Sequence, residues 1–370
     1  MTVRLMIPGP VPLSESVAEA MAAPVQAHYG PAWVSIHNET LQLLRQAFVT
    51  EGDVFILVGS GSAGLDAAIG NLLAPGDAAL VGVNGYFGQR LAAIARAYGA
   101  HVVEVAAEWG EPLAPDAFED ALQNNPSASV IVVTHIETST GVLNPVRQIA
   151  QIANAHAVPI IVDGISSLGG VEFAMDGWGI DICVTASQKC LGGPAGLAPV
   201  AVGLKAWAAI EKRGNAGHGW YLNLQTWREF ARSQKDWHPY PITMPTNAIL
   251  ALREGVRALL TEGIAHRIGR YKTLAGRLRS GLEYLGFRPL AADAHAAPVV
   301  TAAYSLPGVP SGRIVEFLER VHGLEIAGGG LGHLHDKIFR VGHMAPSISE
   351  RDIDDVLAGL EDFKCQVGEG

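Results

Sequence analysis

The segment VFILVGSGSAGLDAAIG, residues 54–70, joins an apolar run to a helical pattern through a turn rich in glycine and serine. The apolar run is typical of a buried β-strand. The turn, Gly59-Ser60-Gly61-Ser62, therefore lies where a helix begins. The first N–H groups of a helix lack partners within the helix, and its dipole is positive there, so this turn is suited to bind an anion.

The same turn contains the spacing Gly59-x-Gly61-x-x-Gly64, which occurs in dinucleotide-binding folds. Those folds also need an acidic residue at the end of the next strand, where it binds the ribose hydroxyl of the dinucleotide. Here the next strand, residues 78–83, is followed by Asn84. Three interpretations remain open: a nicotinamide dinucleotide site, a plain tight turn, and a cup for a single phosphate group. We favour the phosphate cup.

Strand and helix patterns alternate around this segment. The apolar runs of strand length are VFILV (54–58), AALVGV (78–83), HVVEVA (101–106), SVIVVTHIE (129–137), PIIVDG (159–164), DICVTAS (181–187) and GLAPVAVG (196–203). Their nearly continuous apolar character predicts strands that are covered on both faces. We therefore expect an α/β fold whose large domain contains a mostly parallel, doubly wound sheet of seven strands.

The chain of 370 residues is long enough for a large domain and a smaller one. Residues 206–245 contain four tryptophans among polar residues and prolines, and we interpret them as irregular surface structure. A long helical pattern follows at 246–285. We expect three parts: an N-terminal segment (1–15) that packs near the functional site, a large domain (16–250) and a smaller C-terminal α/β domain (251–370).

The composition excludes several classes of protein. A net charge of −10 disfavours binding to nucleic acid or to an anionic membrane surface. The sequence contains no run of 18 apolar residues, so we predict no membrane span. The three cysteines have no regular spacing, which argues against a disulfide framework and against a zinc site of the CxxC type. Pro8 comes too early for a secretory leader. We expect a cytoplasmic protein.

Two polar residues stand where strands end. Asp163 closes the run at 159–164, at the edge where open α/β sheets bind ligands. Lys189 follows the run at 181–187, and a lysine that is partly withdrawn from water has a lowered pKa and can act as a nucleophile. Alone, each has a plain interpretation, as a turn aspartate or a surface lysine. With the phosphate cup, they supply the parts of a pyridoxal phosphate site: a Schiff-base lysine, an acid for the pyridinium nitrogen and a helix N-terminus for the phosphate.

Further motifs extend this pattern: HIETSTGVLNP (135–145), VDGISSLGG (162–170) and SQK (187–189). With them the chain, from PGPVPLS (8–14) to FRVGHM (339–344), resembles the class V, fold type I aminotransferases. It is most similar to their alanine–glyoxylate and serine–glyoxylate (serine–pyruvate) branch. The resemblance implies pyridoxal 5'-phosphate as the cofactor and a large domain joined to a small one.

The resemblance also implies roles for single residues at the cofactor. Lys189 would form the Schiff base and Asp163 would pair with the pyridinium nitrogen, which makes these two the catalytic residues. The other implied cofactor-binding residues are Ser60, Gly61 and Ser62 at the phosphate, Gln188 beside the lysine, Phe87 stacked on the ring and Thr138 at the phenolic oxygen.

The substrate and the partner subunit are implied in the same way. Arg340 would bind the substrate carboxylate, since a guanidinium group can bind a carboxylate through two parallel hydrogen bonds. Gly9 would lie near the substrate. Tyr240 and Thr243 match residues that reach the phosphate of the neighbouring subunit, so the resemblance implies a homodimer with shared active sites.

Other polar residues have open interpretations. His333, His335 and His343 could bind a metal ion, but we expect loop histidines near the substrate and no metal. His135 and Glu137 could order the pocket beside Thr138. The alternative for His135 is a buried histidine without a role in the site. The glycine run 328–330 is interpreted as a loop near the substrate carboxylate.

The expected function is a ping-pong transamination between an alanine- or serine-type amino acid and glyoxylate or pyruvate. One alternative within the same branch is an unusual amine donor, such as pyridoxamine, ureidoglycine or an aminophosphonate. Another is a class V lyase such as a cysteine desulfurase, although those usually have histidine before the lysine, where this chain has Gln188. A third is a cofactor-binding protein without catalysis.

Overall fold

The computed structural model describes residues 3–213, 219–328 and 331–368. The strands are β1 (Arg4–Met6), β2 (Asp53–Val58), β3 (Ala78–Val83), β4 (His101–Ala106), β5 (Ala128–Thr134), β6 (Ile136–Glu137), β7 (Val142–Leu143), β8 (Ile160–Asp163), β9 (Ile182–Val184), β10 (Leu197–Val202), β11 (Val300–Tyr304), β12 (Leu324–Ile326) and β13 (Ile338–Gly342).

The helices are α1 (Glu15–Met21), α2 (Pro31–Phe48), α3 (Gly61–Leu72), α4 (Tyr86–Ala97), α5 (Pro115–Asn124), α6 (Val146–Ala155), α7 (Met175–Trp178), α8 (Leu204–Arg213), α9 (Leu224–Ser233), α10 (Thr246–Glu262), α11 (Ile264–Tyr284), α12 (Ser311–Phe317) and α13 (Glu350–Gly368). Short 3₁₀ turns occur at Asp293–His295 and Gly332–Leu334, and a π-helical turn at Leu318–His322.

One sheet contains seven strands in the order β2-β10-β9-β8-β5-β3-β4. β10 runs antiparallel to both of its neighbours, and the other pairs are parallel. Every residue of β8, β9 and β10 is buried, which explains why these segments read as continuous apolar runs. The predicted α/β fold with a mostly parallel seven-stranded sheet is confirmed.

The carboxyl ends of three strands meet at one edge of this sheet. Thr134, the last residue of β5, pairs with Asp163, and Asp163 pairs with Val184, the last residue of β9. β2 reaches the same edge at Val58, just before the glycine turn that leads into α3. The topology therefore brings the glycine turn, the end of β8 and the loop after β9 to the same edge.

Two large hydrophobic cores account for most of the buried apolar residues that the structure describes, and a third, small cluster contains Ala302, Leu334 and Ile338. The first surrounds the seven-stranded sheet and includes Leu259 of α10, whereas the second includes Tyr271 of α11 and also Met6 of β1. The predicted boundary after residue 250 falls inside α10. We propose that the chain passes from the large domain to the small one at Gly263, which lies between these two helices.

The sequence interpretation of residues 206–245 as irregular structure is wrong in part, because this region contains most of α8 and all of α9. Within α9 the buried residues are Leu224 and Trp227, so the apolar pattern is sparse. The helical pattern at 246–285 is two helices, α10 and α11, separated at Gly263.

Across the described ranges, no helix combines the length and the apolar character that a membrane span requires.

Candidate active site

A cavity opens at the carboxyl edge of the sheet, between the glycine turn and the loop after β9. The predicted cofactor residues that line it are Ser60, Gly61, Ser62, Phe87, Thr138, Asp163, Gln188 and Lys189. The sequence interpretation did not select Leu65, Arg90, Ile165 and Ser166, which line it as well. The fold thus brings together residues that are up to 129 positions apart in the chain.

The glycine turn holds the start of α3 against the cavity. The N–H of Gly59 donates to the carbonyl of Gly196 at 2.8 Å, which ties the turn to the residue before β10. A Cβ on Gly61 would lie 2.4 Å from Cδ1 of Ile165, so a larger residue fits there only if the Ile165 side chain shifts. Ser60 is the N-cap residue of α3, but its side chain makes no capping hydrogen bond. Its hydroxyl is therefore not committed to the helix and is suited to bind an anion.

Asp163, the last residue of β8, is 7% exposed. Its Oδ1 accepts a hydrogen bond from the N–H of Ile165 at 2.9 Å. Burial raises the pKa of Asp163 to about 7, and the charge of Glu137 adds to this rise, whereas the Ile165 N–H and the charge of Lys189 oppose it. The carboxyl group can therefore hold or release a proton near neutral pH.

Lys189 is largely withdrawn from water, and its Nζ donates to the carbonyl of Pro8. Burial lowers the pKa of Lys189 to about 8, and the positive charge of Arg340 also lowers it. A Cβ on Gly9 would lie 2.6 Å from Cδ of Lys189 and 2.7 Å from Nζ, so a glycine at this position leaves room for the lysine. An amine with this pKa is a usable nucleophile and base near neutral pH.

Arg340 lies on β13, outside the large sheet, and reaches the cavity wall at Thr138. Its Nη1 donates to the carbonyl of Thr138 at 3.4 Å, and its buried Nε has no hydrogen-bond partner among the described residues. Burial lowers the pKa of Arg340, and the charge of Glu137 opposes this effect. A guanidinium group with an unused buried donor is suited to bind a carboxylate.

Arg90 is a second arginine at the site, and the sequence interpretation missed it. Its Nη1 donates to Oγ of Ser62 at 3.4 Å, and its guanidinium lies over the ring of Phe87, 4.8 Å from the ring centre. Phe87 and Arg90 are three residues apart on α4 and so share one face of the helix. This three-residue spacing in NGYFGQR (84–90) is the sequence signal that could have identified Arg90.

Thr138 and Gln188 present polar groups to the same cavity. Oγ1 of Thr138 donates to Oγ of Ser166 at 2.7 Å. The carbonyl of Gln188 accepts from the N–H of Val11 at 3.0 Å, which attaches the N-terminal segment to this loop. Oε1 of Gln188 is buried without a hydrogen-bond partner in the described parts of the chain.

The structure does not bring Tyr240 and Thr243 to the cavity of their own chain. Tyr240 is buried and its hydroxyl donates to the carbonyl of His28, whereas Thr243 is exposed. The predicted contact of these two residues with the neighbouring subunit stays a prediction.

The C-terminal histidines lie in three different environments. His333 packs against the ring of Trp109 with centroids 4.6 Å apart, His335 is exposed, and the buried His343 bonds to Oγ1 of Thr301 at 2.9 Å. Within the described ranges, no group of three or more histidine, cysteine or acidic side chains is placed to hold a metal ion. Residues 329 and 330 of the glycine run lie outside the described residues.

His135 faces away from this cavity. It lines a separate, wider cleft between α6 and α11 and packs against the rings of Phe173 and Trp178. Burial lowers the pKa of His135 to about 3, so its ring stays neutral near neutral pH. Its partner in the sequence motif, Glu137, is buried next to Thr138.

A comparison with known families identifies the chain. Residues 19–339 match the family model described as aminotransferase class-V. The chain belongs to the class-V aminotransferases. These enzymes are pyridoxal-phosphate-dependent transferases.

Relatives of this aminotransferase match over almost their full lengths. An uncharacterised aminotransferase of Methanocaldococcus jannaschii is 37% identical over 96% of this chain and 91% of the relative. The (S)-ureidoglycine–glyoxylate transaminase of Bacillus subtilis is 31% identical over 96% of this chain and 89% of the relative. The crystal structure of alanine–glyoxylate aminotransferase from Nostoc sp. superposes with a TM-score of 0.93 at 31% identity, covering 98% of this chain and 95% of that chain. The aminotransferase thus falls in the alanine–glyoxylate branch of the family.

Proposed function

We propose that this aminotransferase moves an amino group between an alanine- or serine-type amino acid and a 2-oxo acid, glyoxylate or pyruvate, with pyridoxal 5'-phosphate as cofactor. The observation that carries the proposal is one cavity lined by the half-buried amine of Lys189 and the buried carboxyl group of Asp163, with the half-buried guanidinium group of Arg340 bonded to the cavity wall at Thr138. Two of the three relatives named above carry glyoxylate in their names, which supports glyoxylate as an acceptor.

The cavity residues fit pyridoxal phosphate. Lys189 would attach the cofactor, Asp163 would face its pyridine nitrogen, and the turn 60–62 would hold its phosphate. The lack of a Cβ at Gly61 leaves room for the Ile165 side chain on the cavity wall. The buried Oε1 of Gln188 has no hydrogen-bond partner in the described parts of the chain and could bind a polar group of the cofactor. Phe87 would stack on the cofactor ring.

When bound, pyridoxal phosphate supplies an electron sink and a temporary carrier for the amino group. Asp163 would hold a proton against the ring nitrogen, a task that suits a buried carboxyl group whose pKa is about 7. Lys189, with a pKa of about 8, is partly neutral near neutral pH. Its amine can therefore take the proton from the α-carbon of the donor and return it later, as general base and general acid.

Arg340 would bind the carboxylate that the amino acid and the 2-oxo acid share. Its Nε is buried without a described partner, so a bidentate carboxylate would satisfy a donor that is otherwise unpaired. Pro8 and Gly9 contact the side chain of Lys189 and limit the space beside the amine, which supports a donor with a small side chain.

The cysteine desulfurase alternative finds no support in the cysteines. Cys183 and Cys190 are buried, and burial raises the pKa of the Cys190 thiol to about 12, so it stays protonated and a poor nucleophile. Cys365 is exposed, but it lies on the C-terminal helix α13 and not on a loop at the cavity.

We place the active enzyme in the cytoplasm as a homodimer. The exposed Thr243 is available to a second subunit, and the exposed ring of Trp237 lies in the same segment of the chain. Small-molecule amino and oxo acids are its proposed partners besides the second copy.

A two-step exchange tests the function. The protein is loaded with pyridoxal phosphate, mixed with L-alanine or L-serine, and then with glyoxylate or pyruvate, while the cofactor absorbance is followed. We expect the amino acid to remove the cofactor band and the 2-oxo acid to restore it. If only pyridoxamine, ureidoglycine or an aminophosphonate removes the band, the unusual-amine alternative is correct. Sulfide release from cysteine that alkylation abolishes would identify a lyase instead.

A further inference from the structure

Glu137, at the end of β6, is a buried carboxylate to which the proposed reaction gives no role. It is 0% exposed and accepts hydrogen bonds from the N–H of Phe87 (3.3 Å), the N–H of Gly88 (2.9 Å), and the N–H and hydroxyl of Ser139 (3.0 and 2.5 Å). A buried carboxylate is costly unless hydrogen bonds satisfy its oxygens. The fold around Glu137 provides that set of donors: burial raises the pKa of Glu137, and the hydrogen bonds from Ser139, Gly88 and Phe87 oppose this rise.

The carboxylate lies at the first turn of α4, which begins at Tyr86. Backbone amides and the helix dipole favour a negative charge at this position. A Cβ on Gly85 would lie 2.3 Å from Cγ and Cδ of Glu137, so the space for the carboxylate depends on that glycine. Because Phe87 belongs to the same first turn, the carboxylate determines where its aromatic ring lies on the cavity wall.

Glu137 also acts on the charged groups of the site. Its negative charge opposes the lowering of the Arg340 pKa by burial and adds to the raised pKa of Asp163. The next residue, Thr138, provides the carbonyl that accepts from Arg340. Residues 137 and 138 thus act on Arg340 in two ways: Glu137 through its negative charge, and Thr138 through a hydrogen bond to its carbonyl.

We infer that Glu137 is a positioning residue of the active site: it fixes the ring of Phe87 on the cofactor side and, with the adjacent Thr138 carbonyl, holds Arg340 in place on the substrate side. This inference rests on the proposed function, because it relies on the cofactor for Phe87 and the substrate carboxylate for Arg340. Glu137 itself touches neither.

The test is Glu137→Gln, which keeps the shape and removes the charge. The glutamine amide has only one acceptor oxygen. Its NH₂ group would face a backbone N–H that donates to the carboxylate in the wild type. We expect the Kd of the apoenzyme for pyridoxal phosphate, measured by titration, to rise about tenfold, the effect of losing roughly one hydrogen bond. The KM for the amino donor should rise by a similar factor, and kcat should change less than KM.

Asp181→Asn is the matched control. Asp181 is a buried carboxylate that accepts from the backbone N–H of Ile160 at 2.9 Å, at the opposite end of β8 from Asp163. Because Asp181 does not line the cavity, this variant should leave both Kd and KM unchanged. If Glu137→Gln behaves in the same way, Glu137 is merely structural and the inference is wrong.

Ser139→Ala separates the two roles. It removes the hydroxyl that donates to Glu137 and accepts from the N–H of Tyr86 at 3.0 Å, but it keeps the charge of Glu137. We expect weaker binding of pyridoxal phosphate with an unchanged KM for the amino donor. If Glu137→Gln fails to fold, the Kd values of Ser139→Ala and Asp181→Asn for pyridoxal phosphate are compared instead. Equal values would refute the inference, and a higher Kd for Ser139→Ala would support it.

Failure of the inference differs from failure of the proposed function. Wild-type protein that binds no pyridoxal phosphate overturns both. Wild-type protein that binds and transaminates, together with a Glu137→Gln variant of unchanged Kd and KM, overturns only the role of Glu137.

Discussion

The two sides of the cavity are built in different ways. The side that we assign to the cofactor is carried by the large sheet and its first core: Asp163 ends β8, and the glycine turn follows β2. The side that we assign to the substrate combines Arg340 from β13 with Pro8 and Gly9 from the N-terminal segment. The first side is therefore fixed within one layer, whereas the second depends on how separate parts of the chain pack together. Substrate preference can change at the second side while the first stays intact.

Lys189→Ala should have the largest effect, because it removes the group to which we assign a role in both half-reactions. We expect transamination to fall by at least about 1000-fold, within the range for loss of a general acid–base group. Initial rates with several donor and acceptor pairs measure the effect. Lys205→Ala, at a lysine that bonds to Oδ1 of Asn154 and does not line the cavity, is the control. Equal activity of the two variants would rule out the assigned role.

Asp163→Asn should have the next largest effect, on the stability of the apoenzyme and its pH dependence. Burial holds the folded-state pKa of Asp163 at about 7, above its ordinary value near 4, so the folded wild type is penalised increasingly as the pH rises between these values. The stability of Asp163→Asn relative to wild type should therefore increase by ~3 kcal/mol from about pH 5 to about pH 7 and level off above. Urea unfolding of both proteins across this range measures it. A difference that is independent of pH would show that the carboxyl group is not protonated in the folded apoenzyme.

Arg340→Gln tests the other side of the cavity. We expect the KM for the amino acid to rise about 100-fold, because a charge-assisted hydrogen-bond pair is lost, while the Kd for pyridoxal phosphate stays near the wild-type value. Arg340→Lys keeps the charge without the bidentate geometry and should recover only part of the loss. An increase in the Kd for pyridoxal phosphate as large as the increase in KM would contradict the division into a cofactor side and a substrate side.

Gly61→Ala should have the smallest effect. Its Cβ would meet Cδ1 of Ile165, and overpacking of this kind costs enough to weaken pyridoxal phosphate binding about tenfold. KM values measured at saturating cofactor should not change. The double variant with Ile165→Val removes the clashing methyl group and should restore part of the affinity. If the double variant recovers none of the affinity for pyridoxal phosphate, the loss does not come from the contact with Ile165.

The sequence indicated the cofactor side better than the substrate side. The inner strands of the large sheet, such as β8 and β9, were readable because they are buried on both faces, whereas the edge strand β4 is not. Asp163 and Lys189 were readable because they lie at or just after the ends of β8 and β9. The contact of Arg90 with Ser62, and those of the Phe87 and Gly88 N–H groups with Glu137, form only in three dimensions, between segments that no short motif connects. The packing of Pro8 on Lys189 depends on how the N-terminal segment docks, and α9 was missed because it buries so few residues.

The pairing of β1 with β12 has a consequence for how the protein is made. Arg4 pairs with Leu324 in that ladder and forms ion pairs with Asp352, 348 residues away, and with Asp355. During synthesis the strand around Met6 leaves the ribosome long before its partners exist. Contacts this distant along the chain are slow to form because a long loop must close first. The second core therefore cannot be completed until nearly the whole chain has been translated, and until then an unpaired strand edge is open to wrong pairing with other chains.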